Sequence, residues 1–379
     1  MSRALLLFAS TLISLALVEA VVRIFDLGPE ISPVYKENFT LSENRILQYE
    51  LVPYSGDGEH RINSLGMRDR ERSLAKPPGV TRIAVIGDSI AFGHKAIQTK
   101  TLSAFLEDLL NREEIGSQTL FEVLNFGVTG YGIEQAMESL RARALRFDPD
   151  IAIYLYCLND PEPYSLEMHN LLAEATAAER GYVERTATAN LRSYVLVRYL
   201  VESLTREGRQ VGHEIAWRRD PQFVAFRTGS YAEYYTGLHR RDDSWGRVET
   251  GFAELAGISS REGMRSLVAI FPVLAALDSD ALQGVHARLQ MAAAEQSIAH
   301  LDLGHVFRAV PADSRRRVVA DALHPTHKGN QLAALAILYE LLESGWVPGA
   351  GTDHFARLGL GNDRVARFAQ IVQQSVANR

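Results

Sequence analysis

Short apolar runs alternate with helix-like stretches along much of this chain, and this alternation constrains the fold more than any other feature. The apolar run at residues 82–86 ends in Gly87 and indicates a buried strand. Residues 101–115 follow it with leucine and phenylalanine side chains on one helical face. Because strands that alternate with helices pair in parallel and are covered on both faces, the sequence predicts a three-layer α/β/α protein with a central parallel sheet.

The same alternation predicts the positions of the strands and helices. Strands are expected at residues 82–86, 121–126, 151–156, 266–271 and 298–303. Helices are expected at residues 101–115, 133–146, 278–297 and 328–344. Residues 161–262 lack clear strands and are predicted to form a mainly helical insertion, with helices near 165–180 and 190–207. The aromatic stretch at 217–252 either forms the core of the insertion, stacks on sugar rings or covers an acyl chain.

A long apolar segment lies near the start of the chain. Residues 4–22 carry few polar side chains, and nineteen helical residues span about 28 Å, close to the hydrocarbon thickness of a bilayer. This length favours an uncleaved signal-anchor, a transmembrane helix, over a cleaved signal peptide or a buried soluble helix. Since Arg3 precedes the segment, the positive-inside rule predicts that the remainder of the chain lies in the periplasm or outside the cell.

These features divide the chain into four predicted parts. Residues 1–25 form the membrane anchor, and residues 26–80 form a polar, turn-rich lead-in segment with little core of its own. Residues 81–345 form the α/β domain that contains the insertion. Residues 346–379 form a glycine-rich link and a helical tail.

Composition excludes several classes of function. The net charge of −6 and the lack of a long basic run argue against nucleic-acid binding. The single cysteine, Cys157, can form neither an intramolecular disulfide nor a cysteine-based zinc site. The sequence contains no phosphate-binding loop, no dinucleotide fingerprint and no metal-ligand spacing, so no cofactor and no metal ion are expected.

Reactive residue types follow the ends of the predicted strands. Ser89, Gly127 and Asn159 come just after the first three strands, and Asp321 and His324 follow the last. Because the carboxyl ends of parallel strands meet at one edge of a sheet, these residues are expected to lie close together.

These residue types suit acyl transfer through a serine. A serine hydroxyl is a weak nucleophile unless a base takes its proton, and His324 is the candidate base for Ser89. Asp321 would orient the imidazole and stabilise its charged form. The backbone N–H groups of Ser89 and Gly127 and the side-chain amide of Asn159 are the predicted oxyanion donors.

The four blocks in this order resemble the SGNH hydrolase family, also called the GDSL esterase/lipase family, which shares a flavodoxin-like architecture. Ser89, Gly127 and Asn159 match its first three blocks, and Asp321 with His324 matches the D-x-x-H of the last. The resemblance covers roughly residues 80 to 345 apart from the insertion, and Cys157 replaces the usual glycine of the third block. It implies a serine esterase that hydrolyses a carboxylic ester.

The lead-in residues 63–69 look like those of membrane-anchored bacterial members, which implies an acyl ester substrate such as an O-acetylated polysaccharide. Three alternatives stay open: an O-acetyltransferase that acts on an exported polysaccharide, a phospholipid or lysophospholipid esterase, and a non-catalytic glycan-binding envelope protein. Simpler roles also compete, since Ser89 can serve as a helix N-cap and Asp88 can hold its own loop. His94 and His327 are weaker candidates for the base.

Overall fold

The computed structural model describes residues 3–25, 38–56, 61–162 and 228–350, with residues 191–194, 196–197 and 225 between them. The chain divides into two compact units. One unit joins Met1–Lys36 to Met168–Ser230, and its described part consists mainly of helix α1, Arg3–Ile24. The other unit joins Glu37–Glu167 to Tyr231–Arg379 and contains the sheet.

Seven strands and eight α-helices are described in the second unit. The strands are β1 (Phe39–Leu41), β2 (Tyr49–Leu51), β3 (Val80–Gly87), β4 (Leu120–Asn125), β5 (Ile151–Tyr156), β6 (Arg265–Ile270) and β7 (Ala299–Asp302). The helices are α2 (Ser89–Phe92), α3 (Leu102–Leu110), α4 (Ile133–Ala142), α5 (Tyr231–Arg240), α6 (Asp242–Glu262), α7 (Asp280–Glu295), α8 (Leu303–Arg308) and α9 (His327–Glu343).

The central sheet is parallel, with five strands in the order β4-β3-β5-β6-β7. All five strands that the sequence predicted are present, which confirms the parallel sheet. β1 and β2 lie in the lead-in segment and form a separate antiparallel pair. The Tyr49 hydroxyl in β2 donates to the carbonyl of Thr129, and the Tyr131 hydroxyl donates to the carbonyl of Tyr49, so this pair is tied to the loop after β4.

Alternate side chains of each strand are buried on opposite faces of the sheet. In β5, Ile151, Ile153 and Leu155 join a core formed with α3, α8 and α9. Ala152 and the two tyrosines of the same strand join a second core formed with α4 to α7. A sheet that is buried on both faces by helices is the three-layer α/β/α arrangement that the strand pattern predicts.

The membrane span expected at residues 4–22 is not found. Residues Arg3–Ile24 form a helix, but no helix among the described residues is long and apolar enough to cross a membrane. The location outside the cytoplasm stays a prediction.

Part of the predicted insertion belongs to the same compact unit as the sheet. α5 and α6, within residues 231–262, contribute Tyr235, Val248 and Phe252 to the core on one face of the sheet. These aromatic side chains therefore pack in the core of this unit. The helices expected near 165–180 and 190–207, and the tail after residue 350, lie wholly or largely outside the described residues.

Candidate active site

Strand-end loops gather the predicted site residues at one edge of the sheet. β3 leads directly into α2, whose first residue is Ser89. β5 leads into the loop that holds Asn159, and Asp321 and His324 lie in the turn before α9. This is the edge at which open parallel sheets hold their ligands.

Ser89, His324 and Asp321 form a continuous hydrogen-bonded chain. The Oγ atom of Ser89 lies 2.9 Å from Nε2 of His324. Nδ1 of His324 lies 2.8 Å from Oδ1 and 3.0 Å from Oδ2 of Asp321. Since an ionised carboxylate only accepts, Nδ1 carries the proton and Nε2 is free to accept the proton of the serine hydroxyl. The arrangement can activate a serine nucleophile.

Asp321 is held in its ionised form. Burial raises the pKa of its carboxyl, but the hydrogen bond and charge of His324 and the backbone N–H groups of His324 and Leu323 outweigh burial and hold that pKa below its usual range. An anion at this position favours an imidazolium on His324, which is the form that a general base takes after it accepts a proton.

A second histidine packs against the base. The ring of His94 lies 4.5 Å from that of His324 between centroids, and its backbone N–H donates to the carbonyl of Ser89. Burial and the charge of His324 lower the pKa of His94 to about 4. His94 is therefore neutral near pH 7, and His324 is the histidine within hydrogen-bond distance of the serine Oγ. His327 lies exposed at the start of α9.

Asp88 connects the nucleophile to the loop after β5. Its Oδ1 accepts the N–H of Ile90 at 2.9 Å and thereby caps α2. The same atom accepts the thiol of Cys157 at 3.2 Å, and Oδ2 accepts the side-chain amide of Asn159 at 3.2 Å. Asp88 thus holds its loop, as expected, and in addition fixes Asn159 relative to Ser89.

Asp160 is a buried carboxyl below this loop. Burial and the charge of Asp88 raise its pKa well above the usual range, and Tyr154 donates to it at 2.5 Å. Burial and the neighbouring carboxylates also raise the pKa of the Cys157 thiol, so Cys157 stays protonated and acts as a donor. Asp88, Cys157 and Asp160 are the group among the described residues whose atoms could hold a metal ion, and hydrogen bonds already connect them.

Gly127 is needed for a close backbone approach. A Cβ atom added there would lie 2.1 Å from the backbone nitrogen of Phe92 and 2.4 Å from the carbonyl carbon of Ala91, both in α2. The N–H of Gly127 donates to Oδ1 of Asn125 at 2.9 Å, so this predicted oxyanion donor is engaged by a side chain that the sequence did not single out.

Arg68 is a second residue that supports the site and that the sequence did not reveal. Its guanidinium is fully buried beneath α2 and donates to the carbonyls of Phe92 at 3.1 Å, Gly93 at 2.5 Å and Ala96. A buried cation there offsets the negative end of the helix that begins with the nucleophile. The one available signal was the charged pair of Arg68 and Asp69 in the lead-in segment.

A small pocket lies beside the nucleophile. It holds about 260 Å³ of empty space, part of it open to solvent, and Ser89 and Asn159 lie in its wall. The other wall residues are mostly apolar: Leu158, Tyr235, Phe271, Val273 and Leu323. Apolar groups such as an acyl chain suit such a wall.

Comparison with known proteins gives a family and a set of similar folds. Residues 85–332, more than half of the chain, match the GDSL-like lipase/acylhydrolase family. No curated protein sequence matches the chain. TesA is a similar solved structure, with 14% identity and a TM-score of 0.40 over 69% of this chain and 98% of that one.

Two further solved structures show the same level of similarity. A lipase/acylhydrolase from Enterococcus faecalis has 15% identity and a TM-score of 0.39, and the match covers 69% of this chain and 95% of that one. The acetyl xylan esterase AlAXEase has 11% identity and a TM-score of 0.36, over 68% and 97% of the two chains. At these scores the structures carry no inference about substrate, and family membership rests on the sequence match.

Proposed function

Because the chain belongs to the GDSL-like lipase/acylhydrolase family, it is an ester-hydrolysing enzyme, and we propose that it works through an acyl-Ser89 intermediate. The observation that carries this proposal is the hydrogen-bonded chain from Ser89 through His324 to Asp321. A non-catalytic protein would not need a nucleophile, a base and an orienting carboxylate in this order.

The reaction proceeds in two steps, acylation of Ser89 and hydrolysis of the acyl-serine, and His324 takes and returns the proton in each. Ser89 Oγ attacks the ester carbonyl carbon while its proton passes to Nε2 of His324, and the carbonyl oxygen becomes an oxyanion. Collapse of this intermediate breaks the bond to the alcohol, which takes the proton from His324. Water then attacks the acyl-serine by the same route and releases the carboxylic acid.

The oxyanion requires donors at the same edge of the sheet. We assign this role to the N–H of Ser89, the N–H of Gly127 and the amide of Asn159. A primary amide carries two hydrogens, so Asn159 can hold Asp88 with one and bind the oxyanion with the other. Gly127 must share or release its bond to Asn125 to take part.

The size of the pocket favours a short acyl group. Its space of about 260 Å³ includes open solvent, and side chains such as Phe271 and Leu323 close its apolar wall. This favours an acetyl group over the long chains of a phospholipid. The polysaccharide hydroxyl that we expected as the alcohol part of the ester stays a prediction.

Ser89→Ala tests the proposal directly. We expect turnover of 4-nitrophenyl acetate to fall to background in this variant, because Ser89 carries the hydroxyl that lies 2.9 Å from the base among the described residues, while circular dichroism and melting temperature stay unchanged. Ser103→Ala is the matched control, since its hydroxyl is buried in α3 without a hydrogen-bond partner. Full activity in a folded Ser89→Ala protein contradicts the proposal.

The same assay separates hydrolysis from acyl transfer. A hydrolase releases acetate at a rate that an added oligosaccharide leaves unchanged. An O-acetyltransferase turns over slowly in water and faster with an acceptor, and the acetylated oligosaccharide is then detected by mass spectrometry.

A further inference from the structure

The two segments that carry the nucleophile and the base contain basic but no acidic side chains. In residues 89–106 the basic residues are His94, Lys95 and Lys100, and in residues 322–339 they are His324, His327 and Lys328. The chain as a whole has more acidic residues than basic ones, 46 against 40. It has five lysines, and three of them lie in these two segments. Basic side chains are therefore concentrated in the two segments that follow the site carboxylates Asp88 and Asp321.

The structure brings these basic groups together. The carbonyl of Lys100 accepts the side-chain amide of Asn330, which joins the segment before α3 to α9. His327 begins α9, and its pKa is lowered by burial and by the charges of Lys100 and Lys328. On the segment of the nucleophile, Lys95 follows His94, whose ring packs on His324. We call Lys95, Lys100, His327 and Lys328 the basic rim, since they lie in the two segments that carry Ser89 and His324.

Two of the rim lysines are available to a ligand. Lys95 and Lys100 are exposed, and within the described part of the chain neither has a carboxylate within ion-pair distance. Lys76, by contrast, pairs with Asp148 at 3.1 Å and with Asp150 at 2.9 Å.

We propose that the basic rim binds a carboxylate on the alcohol part of the ester, so that the enzyme prefers acidic substrates. This inference rests on the proposed esterase function and adds the charge of the substrate to it. The pocket beside Ser89 is small, largely apolar and lined by no lysine, so a charged group of the substrate is expected on the alcohol part of the ester, outside this pocket. A uronate unit of an acidic polysaccharide has this chemistry.

Two matched aryl acetates test the preference. 4-Acetoxybenzoate and 4-acetoxybenzamide have the same acyl group and shape but differ in charge. We expect kcat/KM for the acid relative to the amide to fall about threefold in Lys95→Gln or Lys100→Gln and about tenfold in the double variant at low salt. The wild-type preference should also weaken as salt rises, because the rim is exposed to solvent.

The control is Arg261→Gln. Arg261 is an exposed cation at the end of α6, just before β6, and so lies toward the opposite edge of the sheet from the site. This variant should keep the wild-type ratio, and hydrolysis of the neutral amide should be the same in all variants. An equal ratio in the wild type and the double lysine variant overturns the proposal.

Sugar binding by an inactive variant tests the basic rim independently of turnover. Ser89→Ala protein should bind an oligogalacturonate more tightly than a neutral maltooligosaccharide of equal length, and Lys95→Gln with Lys100→Gln should remove the difference. Equal binding of the two sugars overturns the basic rim even if ester hydrolysis depends on Ser89. Ester hydrolysis that persists in folded Ser89→Ala, with intact discrimination between the two sugars, would instead contradict the esterase mechanism and leave the basic rim standing.

Discussion

The side chain of Asn159 both holds a loop and lines the pocket. Its amide donates to Asp88, which caps the helix of the nucleophile, and it lies in the wall of the pocket beside Ser89. If its second amide hydrogen binds the oxyanion as proposed, Asn159 acts more strongly on the transition state than on the bound ester.

Asn159→Ala should therefore lower kcat by roughly 10²–10³ with little change in KM, because the lost donor acts on the oxyanion. Steady-state kinetics with 4-nitrophenyl acetate measure both constants. Asn159→Asp is the matched variant: it keeps the shape, removes the donor and places a second carboxylate beside Asp88, so its loss should be at least as large. Near-normal kcat in Asn159→Ala would remove this residue from the oxyanion site.

Individual site residues were predictable because strand ends are local features. Ser89 directly follows an apolar run that the sequence shows, whereas Asp321 and His324 lie in the turn before α9. The structure places His324 within hydrogen-bond distance of both Ser89 and Asp321. The hydrogen bond from the N–H of Gly127 to Oδ1 of Asn125 was not predictable in this way. Which acceptor a backbone N–H uses depends on side-chain rotamers that no spacing rule encodes.

At the scale of elements, α2 is a short helix that is held from both ends. Asp88 caps its start, and the buried guanidinium of Arg68 donates to the carbonyls of Phe92 and Gly93 at its end. Four residues are too few for a helix to be stable alone, so these contacts determine where the nucleophile lies.

Arg68→Met should destabilise the fold by about 3 kcal/mol, because several buried carbonyls lose their donors. It should also lower kcat, since α2 then moves relative to His324. Chemical denaturation and steady-state kinetics measure the two effects. The control is Arg70→Met in the same segment, whose exposed pairing with Glu107 at 3.0 Å should contribute no more than about 1 kcal/mol. If both variants behave alike, Arg68 does not position α2.

The structural role of the lead-in segment could not be predicted from the sequence. The sequence indicated a polar stretch with little core, and Arg68 inside it gave no periodic signal. Its partners lie 24 or more residues away along the chain, so only the folded backbone reveals that this segment supports the nucleophile. α5 and α6 are a second case, because a helical pattern does not say which face of which sheet it covers.

At the scale of the whole molecule, chemistry and recognition lie at one edge of a sheet that is otherwise buried. Both faces of β5 are covered by helices, so the strand-end loops are where the sheet opens to a ligand. The strand and helix alternation made this architecture predictable from the sequence. The membrane span expected at residues 4–22 is not found among the described residues.

Covalent labelling of the intact protein with a fluorophosphonate, followed by peptide mass spectrometry, tests whether Ser89 is the activated nucleophile. An activated serine forms one stable adduct, so we predict a single phosphonylated residue, Ser89, with label and loss of esterase activity rising together. His324→Asn should block labelling, because no base then takes the serine proton. Complete inactivation with Ser89 unmodified, or a label on another residue, would contradict the mechanism.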